Sequence, residues 1–353
     1  MMLSPTVTVM IPSYNYAQYL VECVRSALDQ PGVNVDVALV DNASTDGSLA
    51  LAEQLAEAHP NIRLITYPDN QGIISSLNRC YSEVKGDYAL LLCADDRLVP
   101  GALSRSVAFL ETHPSVGMVY GPALDFPSIE AVDLSRLSGA PGAPLVYDGV
   151  SWIDGRCSAG TNPIRTPEVL MRASTIAAVG GRLDSRCSHT SDLNMWLRLA
   201  SKGDVAFLPG PPIALYRRHD DNHSNAFNFS ARRDLEARWI AFSAFFETVA
   251  TRPEHGRWER TTRGTLAADA RYLATRAYSQ SDGDAPDRHV EELLELADCL
   301  QPGGASHIEE LGWKLRRALG PRRAGRFPGF WPRRLIRRLH RYAAERRRLR
   351  TGL

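Results

Sequence analysis

Thr6 to Gly47 reads TVTVMIPSYNYAQYLVECVRSALDQPGVNVDVALVDNASTDG, and the period of its apolar residues changes twice. Residues 6–12 form a short, nearly continuous apolar run, as expected of a buried strand. In 16–29, Leu20, Cys23, Val24, Ala27 and Leu28 recur at helical spacing. Val33, Val35, Val37 and Leu39 then alternate as in a strand that ends at Asp41. Ser44-Thr45-Asp46-Gly47 supplies a turn and cap before an apolar helix at 48–58. This is strand, helix, strand, helix, the order that builds a parallel sheet covered by helices.

The alternation continues outward. Ile62 to Thr66 is a third strand, 72–84 a third helix, and Tyr88 to Cys93 a fourth strand that stops at Ala94-Asp95-Asp96. The fold class is therefore α/β with a mostly parallel central sheet. In such sheets ligands bind beyond the carboxyl ends of the strands, where loops and helix N-termini converge. That rule selects Pro12-Ser13-Tyr14-Asn15, Asp41-Asn42-Ala43-Ser44 and Ala94-Asp95-Asp96, each directly after an apolar strand.

Residues 122–166 are rich in Gly, Pro and Ser and read as loops that build an acceptor side. Helical signals resume at 167–179 and at 192–202 (DLNMWLRLASK), and 204–216 reads as one or two further strands. After about residue 225 the pattern is helical only, with helices expected near 230–250, 260–279, 287–300, 305–319 and 331–350. The division expected is a sheet-bearing domain over 1–225, with a donor-side half to about 121, and a helical region over 226–353.

Bulk composition agrees with a packed core: of 353 residues, 44% are hydrophobic and 23% charged. The net charge of +1 hides a strong asymmetry, because residues 313–353 hold 15 Lys and Arg against one acid, Glu345. The six cysteines form no CxxC pair and have no ligand spacing with histidines, which argues against zinc and disulfide frameworks and suits a reducing cytoplasm. No leader-like N-terminus and no apolar run of membrane-spanning length is present.

Five segments in series carry a family resemblance. Val7–Asn15 (VTVMIPSYN), Val40–Ser48 (VDNASTDGS), Asn70–Arg79 (NQGIISSLNR), Gly86–Asp96 (GDYALLLCADD) and Thr190–Ala200 (TSDLNMWLRLA) resemble family 2 glycosyltransferases with the GT-A fold. The resemblance covers roughly residues 6–220 and implies transfer of a sugar from a nucleotide-sugar donor to an acceptor hydroxyl. The sequence departs from the pattern at Cys93, where many relatives carry a further acid.

A departing nucleoside diphosphate needs its charge neutralised, and hard oxygen ligands suit a Mg²⁺ or Mn²⁺ ion for that work. Asp96 is the expected metal ligand, with Asp95 a ribose contact or second ligand. Asp41 is placed to accept the imide N–H of a uracil or thymine ring, although it is also an ordinary turn acid. By resemblance, Pro12, Ser13, Tyr14, Asn15 and Asn70 belong to the nucleotide-sugar site. Arg79 either lies along the diphosphate or is a solvated helix charge. Asp192 is the expected general base for in-line displacement with inversion, and it is equally a good first-turn helix acid. Trp196 reads as core. His219, in Arg217-Arg218-His219-Asp220, reaches the metal or diphosphate if its loop closes over the donor.

In the ending, Arg333, Arg334, Arg337, Arg338 and Arg341 recur at helical spacing with Trp331, Leu335, Ile336 and Leu339 between them. This is the pattern of an interfacial helix on an anionic membrane surface, which would place the enzyme on the inner face of the cell membrane and suit a carbohydrate or lipid-linked acceptor. A UDP-sugar is the favoured donor, with dTDP- and GDP-sugars behind it. The rival readings are a non-catalytic nucleotide-sugar-binding protein of the same fold, for which Cys93 speaks, and a nucleic-acid binder driven by the tail, which is not favoured.

Overall fold

The computed structural model describes residues 4–127, 132, 137, 140–219, 230–280, 288–326 and 350–353. The chain divides into two compact units, the first spanning residues 1–153, 162–226 and 349–352, the second 154–161, 227–348 and 353.

The first unit is built on an eight-stranded sheet. Its strands are β1 (Thr6–Ser13), β2 (Asn34–Asp41), β3 (Ile62–Thr66), β4 (Tyr88–Leu91), β6 (Val116–Tyr120), β8 (Leu145–Tyr147), β9 (Val169–Arg172) and β10 (Asp204–Phe207), in the spatial order β3-β2-β1-β4-β9-β6-β10-β8. β1 pairs in parallel with both β2 and β4, and β2 with β3, as the opening alternation predicts. Val7, Val9 and Ile11 are fully buried, as are Met10 and Thr8, which accounts for an apolar run with little alternation. Helices α1 (Ala17–Leu28), α2 (Ser48–Ala58), α3 (Ile73–Ser82) and α4 (Ala102–Thr112) connect these strands, and α1 buries the expected stripe of Leu20, Cys23, Val24 and Ala27.

The sheet is mixed, because β9 runs antiparallel to β4 and β6, and β8 antiparallel to β10. This corrects the reading of 167–179 as helical. The segment is a 3-10 turn (Thr166–Glu168), then β9, then the short helix α6 (Ala173–Ala178). Val169, Leu170 and Met171 are each fully buried, and a short apolar run cannot by its period distinguish a strand buried on both faces from a buried helix. The gap between β4 and β6 decides it. Within 122–166, expected as loops, the structure has β7 (Ala123–Phe126), β8 and the helix α5 (Gly149–Ala159), with part of the segment outside the described residues.

A second, three-stranded sheet, β5 (Arg97–Leu98), β11 (Ala214–Arg217) and β7, lies across the chain just past Asp96. Helix α7 (Ser191–Ala200) buries Leu193, Trp196, Leu197 and Leu199, so Trp196 is core.

In the second unit, α8 (Ala231–Thr248), α9 (His255–Gln280), α10 (Arg288–Leu300), α11 (His307–Leu319) and α12 (Pro321–Arg326) follow one another. Leu235, Leu266, Ala270, Ala274, Leu293 and Leu300 belong to its own apolar core. Ser306 caps α11 reciprocally with Glu309, which fixes where that helix starts. The helix expected at 331–350, with Arg333 to Arg341, lies almost wholly outside the described residues. No helix among the described residues is long and apolar enough to cross a membrane.

Candidate active site

Because β1, β2 and β4 are parallel, their carboxyl ends meet at one edge, bringing Ser13, Asp41 and the Asp95-Asp96 turn together on the same side of the sheet. The loops after β1 and β2 are clasped to each other. The Asn15 N–H donates to Ser44 Oγ at 3.0 Å, and the Thr45 N–H donates to Asn15 Oδ1 at 2.8 Å. Asn15 and Ala43 hold left-handed backbone (φ 57° and 59°), which costs a non-glycine residue energy and is characteristic of ligand-binding turns. Asp41 is fully buried. Its Oδ2 accepts the Ser44 N–H at 3.0 Å, whereas Oδ1 has no partner among the described residues. Ser13 Oγ, also buried, is likewise unpartnered, and Pro12 is covered beneath it. Tyr14 is exposed at the rim. Asn70 braces the third loop, accepting at Oδ1 from Asn42 Nδ2 at 2.9 Å and from the Gly72 N–H at 2.8 Å.

The Asp95-Asp96 turn is held from below by Arg217. Antiparallel pairing of β11 with β5 sets Leu215 opposite Arg97, so Arg217 falls against the two acids. Its backbone N–H donates to Asp96 Oδ1 at 2.9 Å and its Nε to the Asp95 carbonyl at 2.9 Å. Its Nη2 donates to Glu22 at 2.7 Å, and the guanidinium packs 4.4 Å from the ring centres of both Tyr19 and Phe126. Asp96 is 1% exposed, and its Oδ2 has no partner among the described residues. Burial, and then the neighbouring Asp95, hold its carboxyl well above the usual carboxylate range. Ligand atoms of Cys93, Asp95 and Asp96 lie within 4.8 Å of one another. A buried, unpartnered carboxylate oxygen in an acidic group that resists ionisation is an arrangement that a divalent cation satisfies. His219 faces the same acids, with Nε2 3.1 Å from Asp95 Oδ2 and its ring 5.1 Å from that of Tyr19.

The segment before β9 meets both sets of acids, Arg165 acting on Asp96 by its charge and Asn162 bonding Asp192. β9 runs antiparallel to β4 with Leu170 opposite Leu90, so its first residues lie toward the carboxyl end of β4. Arg165 pairs with Asp125, lies 4.6 Å over the Tyr216 ring, and lowers the Asp96 pKa by its charge. Asn162 Nδ2 donates to Asp192 Oδ2 at 2.7 Å, and the Leu193 N–H donates to Asp192 Oδ1 at 2.7 Å. Asp192 is half-buried on the first turn of α7, and burial pushes its pKa up to about 6.

Arg79 is not brought to this cluster. It pairs with Glu83 at 2.8 Å on the surface of α3, and Glu83 also meets Arg63, which bonds Asp36 near the starts of β2 and β3. Its side chain therefore extends toward the opposite edge of the sheet. Glu22, Asn162, Arg165 and Arg217 are absent from the sequence-based set. The tract Arg217-Arg218-His219 was the one visible signal among them; the others look like ordinary surface or loop residues until the strands pair.

The sequence profile of Glycosyl transferase family 2 matches residues 8–138, which contain the three strand-end segments. The putative glycosyltransferase EpsE of Bacillus subtilis (strain 168) is 31% identical over 225 residues, covering 63% of this chain and 75% of EpsE. The chain belongs to glycosyl transferase family 2. The chain is also similar to the chondroitin synthase of Pasteurella multocida (strain Pm70), 39% identical over 204 residues, or 58% of this chain but only 20% of that enzyme. Among solved structures, S. aureus TarS 1-349 in complex with UDP-GlcNAc superposes with a TM-score of 0.62 at 14% identity, covering 88% of this chain and 92% of that one. The fold is therefore the family 2 GT-A type, a mixed, mostly parallel sheet followed by a helical region, and the protein is a glycosyltransferase.

Proposed function

We propose that the protein moves a sugar from a UDP-sugar to an acceptor hydroxyl with inversion at the anomeric carbon, in the assembly of a cell-surface polysaccharide or glycolipid. The reading is carried by two carboxylates: Asp96, buried with Oδ2 unpartnered among the described residues, and Asp192, bonded by Asn162 in the segment whose Arg165 acts on Asp96, with its pKa pushed by burial up to about 6. In the reaction the acceptor O–H gives its proton to Asp192 as its oxygen attacks the anomeric carbon, and the bond from that carbon to the diphosphate breaks. A pKa near 6 leaves Asp192 ionised at neutral pH yet more basic than an exposed aspartate, which suits a general base.

Asp96 and Asp95, with the Cys93 thiol and His219 beside them, are the residues that fit a Mg²⁺ or Mn²⁺ ion. Bound there, the ion supplies the positive charge that a departing nucleoside diphosphate needs. The unpartnered Asp41 Oδ1 suits the imide N–H of uracil, and Ser13, Asn15 and Asn70 surround it as ribose and base contacts. Binding requires the Asn15–Ser44–Thr45 clasp to shift, because Asp41 is covered. The ligand of the TarS complex, UDP-GlcNAc, favours UDP, and the name of a second Bacillus subtilis relative, TuaG, a putative teichuronic acid biosynthesis glycosyltransferase, favours a polymer pathway.

A basic surface for an anionic membrane belongs to the same proposal. Residues 313–353 carry the charge, and α11 exposes Ile308 (66%), Leu311 (50%) and Leu315 (41%) along one face, as an interfacial helix does.

The donor reading is tested by thermal shift against UDP-, dTDP- and GDP-sugars with and without Mn²⁺. A rise in Tm with a UDP-sugar that depends on Mn²⁺, together with slow Mn²⁺-dependent hydrolysis of that donor, is the expected result. No shift with any nucleotide-sugar contradicts it.

A further inference from the structure

Asp192 is held by a side chain whose orientation is itself fixed. Asn162 Oδ1 accepts the Ile164 N–H at 3.1 Å, and only the oxygen of an amide can do so. The nitrogen is thereby forced to the other side, where it donates to the Ile164 carbonyl at 3.1 Å and to Asp192 Oδ2 at 2.7 Å. Ile164 is 3% exposed and Arg165 beside it is tied to Asp125 and Tyr216, so the segment presenting the amide is anchored. With Leu193 N–H on Oδ1 and Asn162 on Oδ2, each carboxylate oxygen keeps lone-pair capacity for one incoming proton.

We infer that Asn162 is a positioning residue for transfer: the amide it fixes against Asp192 Oδ2 keeps the half-buried carboxylate ionised and ready to take the acceptor's proton near neutral pH. This inference rests on the reading of Asp192 as base. No charged side chain contributes to the shift of Asp192, which is set by burial and opposed by the Leu193 and Asn162 hydrogen bonds. Tyr81 on α3 is the titratable group that feels its charge, and burial keeps that hydroxyl neutral across the working range. The Asn162 hydrogen bond is thus the side-chain interaction that offsets desolvation. Removing it must raise the pH at which the base becomes available.

The experiment compares kcat against pH for the wild type, Asn162→Ala, Asn162→Asp and Asp192→Asn, with Tm and Mn²⁺-dependent UDP-sugar binding measured on each. In Asn162→Ala the acid limb of kcat is expected to move up by about one pH unit, which lowers kcat about fivefold at pH 6 and leaves it near wild type above pH 8. Asn162→Asp has the same shape, so it guards against a folding defect, and it replaces a donor by a like charge. Its limb is expected to move further. A loss that is equal at every pH in both variants, with the limb unmoved, overturns the proposal and leaves Asn162 as a brace for the Ile164 turn. If Asp192→Asn itself transfers at the wild-type rate, it is the base reading that fails. If Asp192→Asn is inactive while the Asn162→Ala limb coincides with wild type, only the role of Asn162 fails.

Discussion

The backbone N–H of Arg217 donates to Asp96 Oδ1 at 2.9 Å, so the fold consumes one oxygen of this carboxylate and leaves the other, Oδ2, buried without a partner among the described residues. The two oxygens thus have different work. Oδ1 fixes the orientation of the carboxylate, and Oδ2 is left at the site. An uncompensated buried carboxylate opposes folding, and a protein tolerates it where a ligand cation supplies the missing partner.

Asp96→Asn separates these roles. The amide oxygen still accepts from Arg217, while the charge and the free anionic oxygen are gone. A carboxyl whose pKa is raised on folding destabilises the fold as pH climbs from its unfolded value through the folded one, so the wild type bears this cost at neutral pH and the variant does not. Asp96→Asn should therefore melt at the same or a higher temperature than metal-free wild type at pH 7.5. It should also lose the rise in Tm that Mn²⁺ gives the wild type, both read by scanning calorimetry.

Arg217→Lys keeps the charge but cannot hold the Asp95 carbonyl and Glu22 together while stacking between Tyr19 and Phe126. The expected loss is roughly 1–3 kcal/mol in urea unfolding. Mn²⁺-dependent donor affinity should fall with it, measured by titration calorimetry.

The parallel half of the sheet was legible because β1 and β2 bury their residues in a pattern that local sequence displays, and the acids at their ends follow from topology. The antiparallel insertion was not. Val169-Leu170-Met171 has no period to betray a strand, and its placement depends on a gap left by β4 and β6, elements far away in the chain. Asp192 was a candidate only through the resemblance of its Trp-Leu-Arg segment to the family, and its bond from Asn162 was not legible at all, since an Asn before a Pro in a Gly-rich loop looks like any turn residue. Arg79 shows the reverse case. Its sequence was open to a diphosphate contact or a solvated helix charge, and the i+4 acid Glu83, already bridging to Arg63, pairs with it on the helix surface.

Gly86 precedes β4 where the chain passes close to β1. A Cβ built there stands 2.5 Å from the Thr6 carbonyl oxygen, inside any allowed contact. Gly86→Ala should cost about 1–3 kcal/mol in urea unfolding, because backbone rather than a flexible side chain must move. A wild-type stability for this variant would mean that β1 and β4 are not registered as described.

The basic ending should bind membranes through charge. Changing Arg333, Arg334, Arg337 and Arg338 together to Gln should abolish sedimentation with phosphatidylserine vesicles and leave binding to neutral vesicles as weak as before, since each basic residue near an anionic leaflet contributes about 1 kcal/mol. Equal sedimentation of variant and wild type counts against a membrane role for this segment.

The most direct test of the account is Asp192→Asn, assayed for UDP-sugar binding with Mn²⁺ and for transfer across pH 5 to 9. The wild-type rate should rise through about pH 6 as the carboxylate ionises, and the variant should bind donor normally while its transfer falls about 10²- to 10⁴-fold at every pH. A variant that transfers sugar at the wild-type rate would contradict the account, because the acceptor's proton would then go elsewhere than to Asp192.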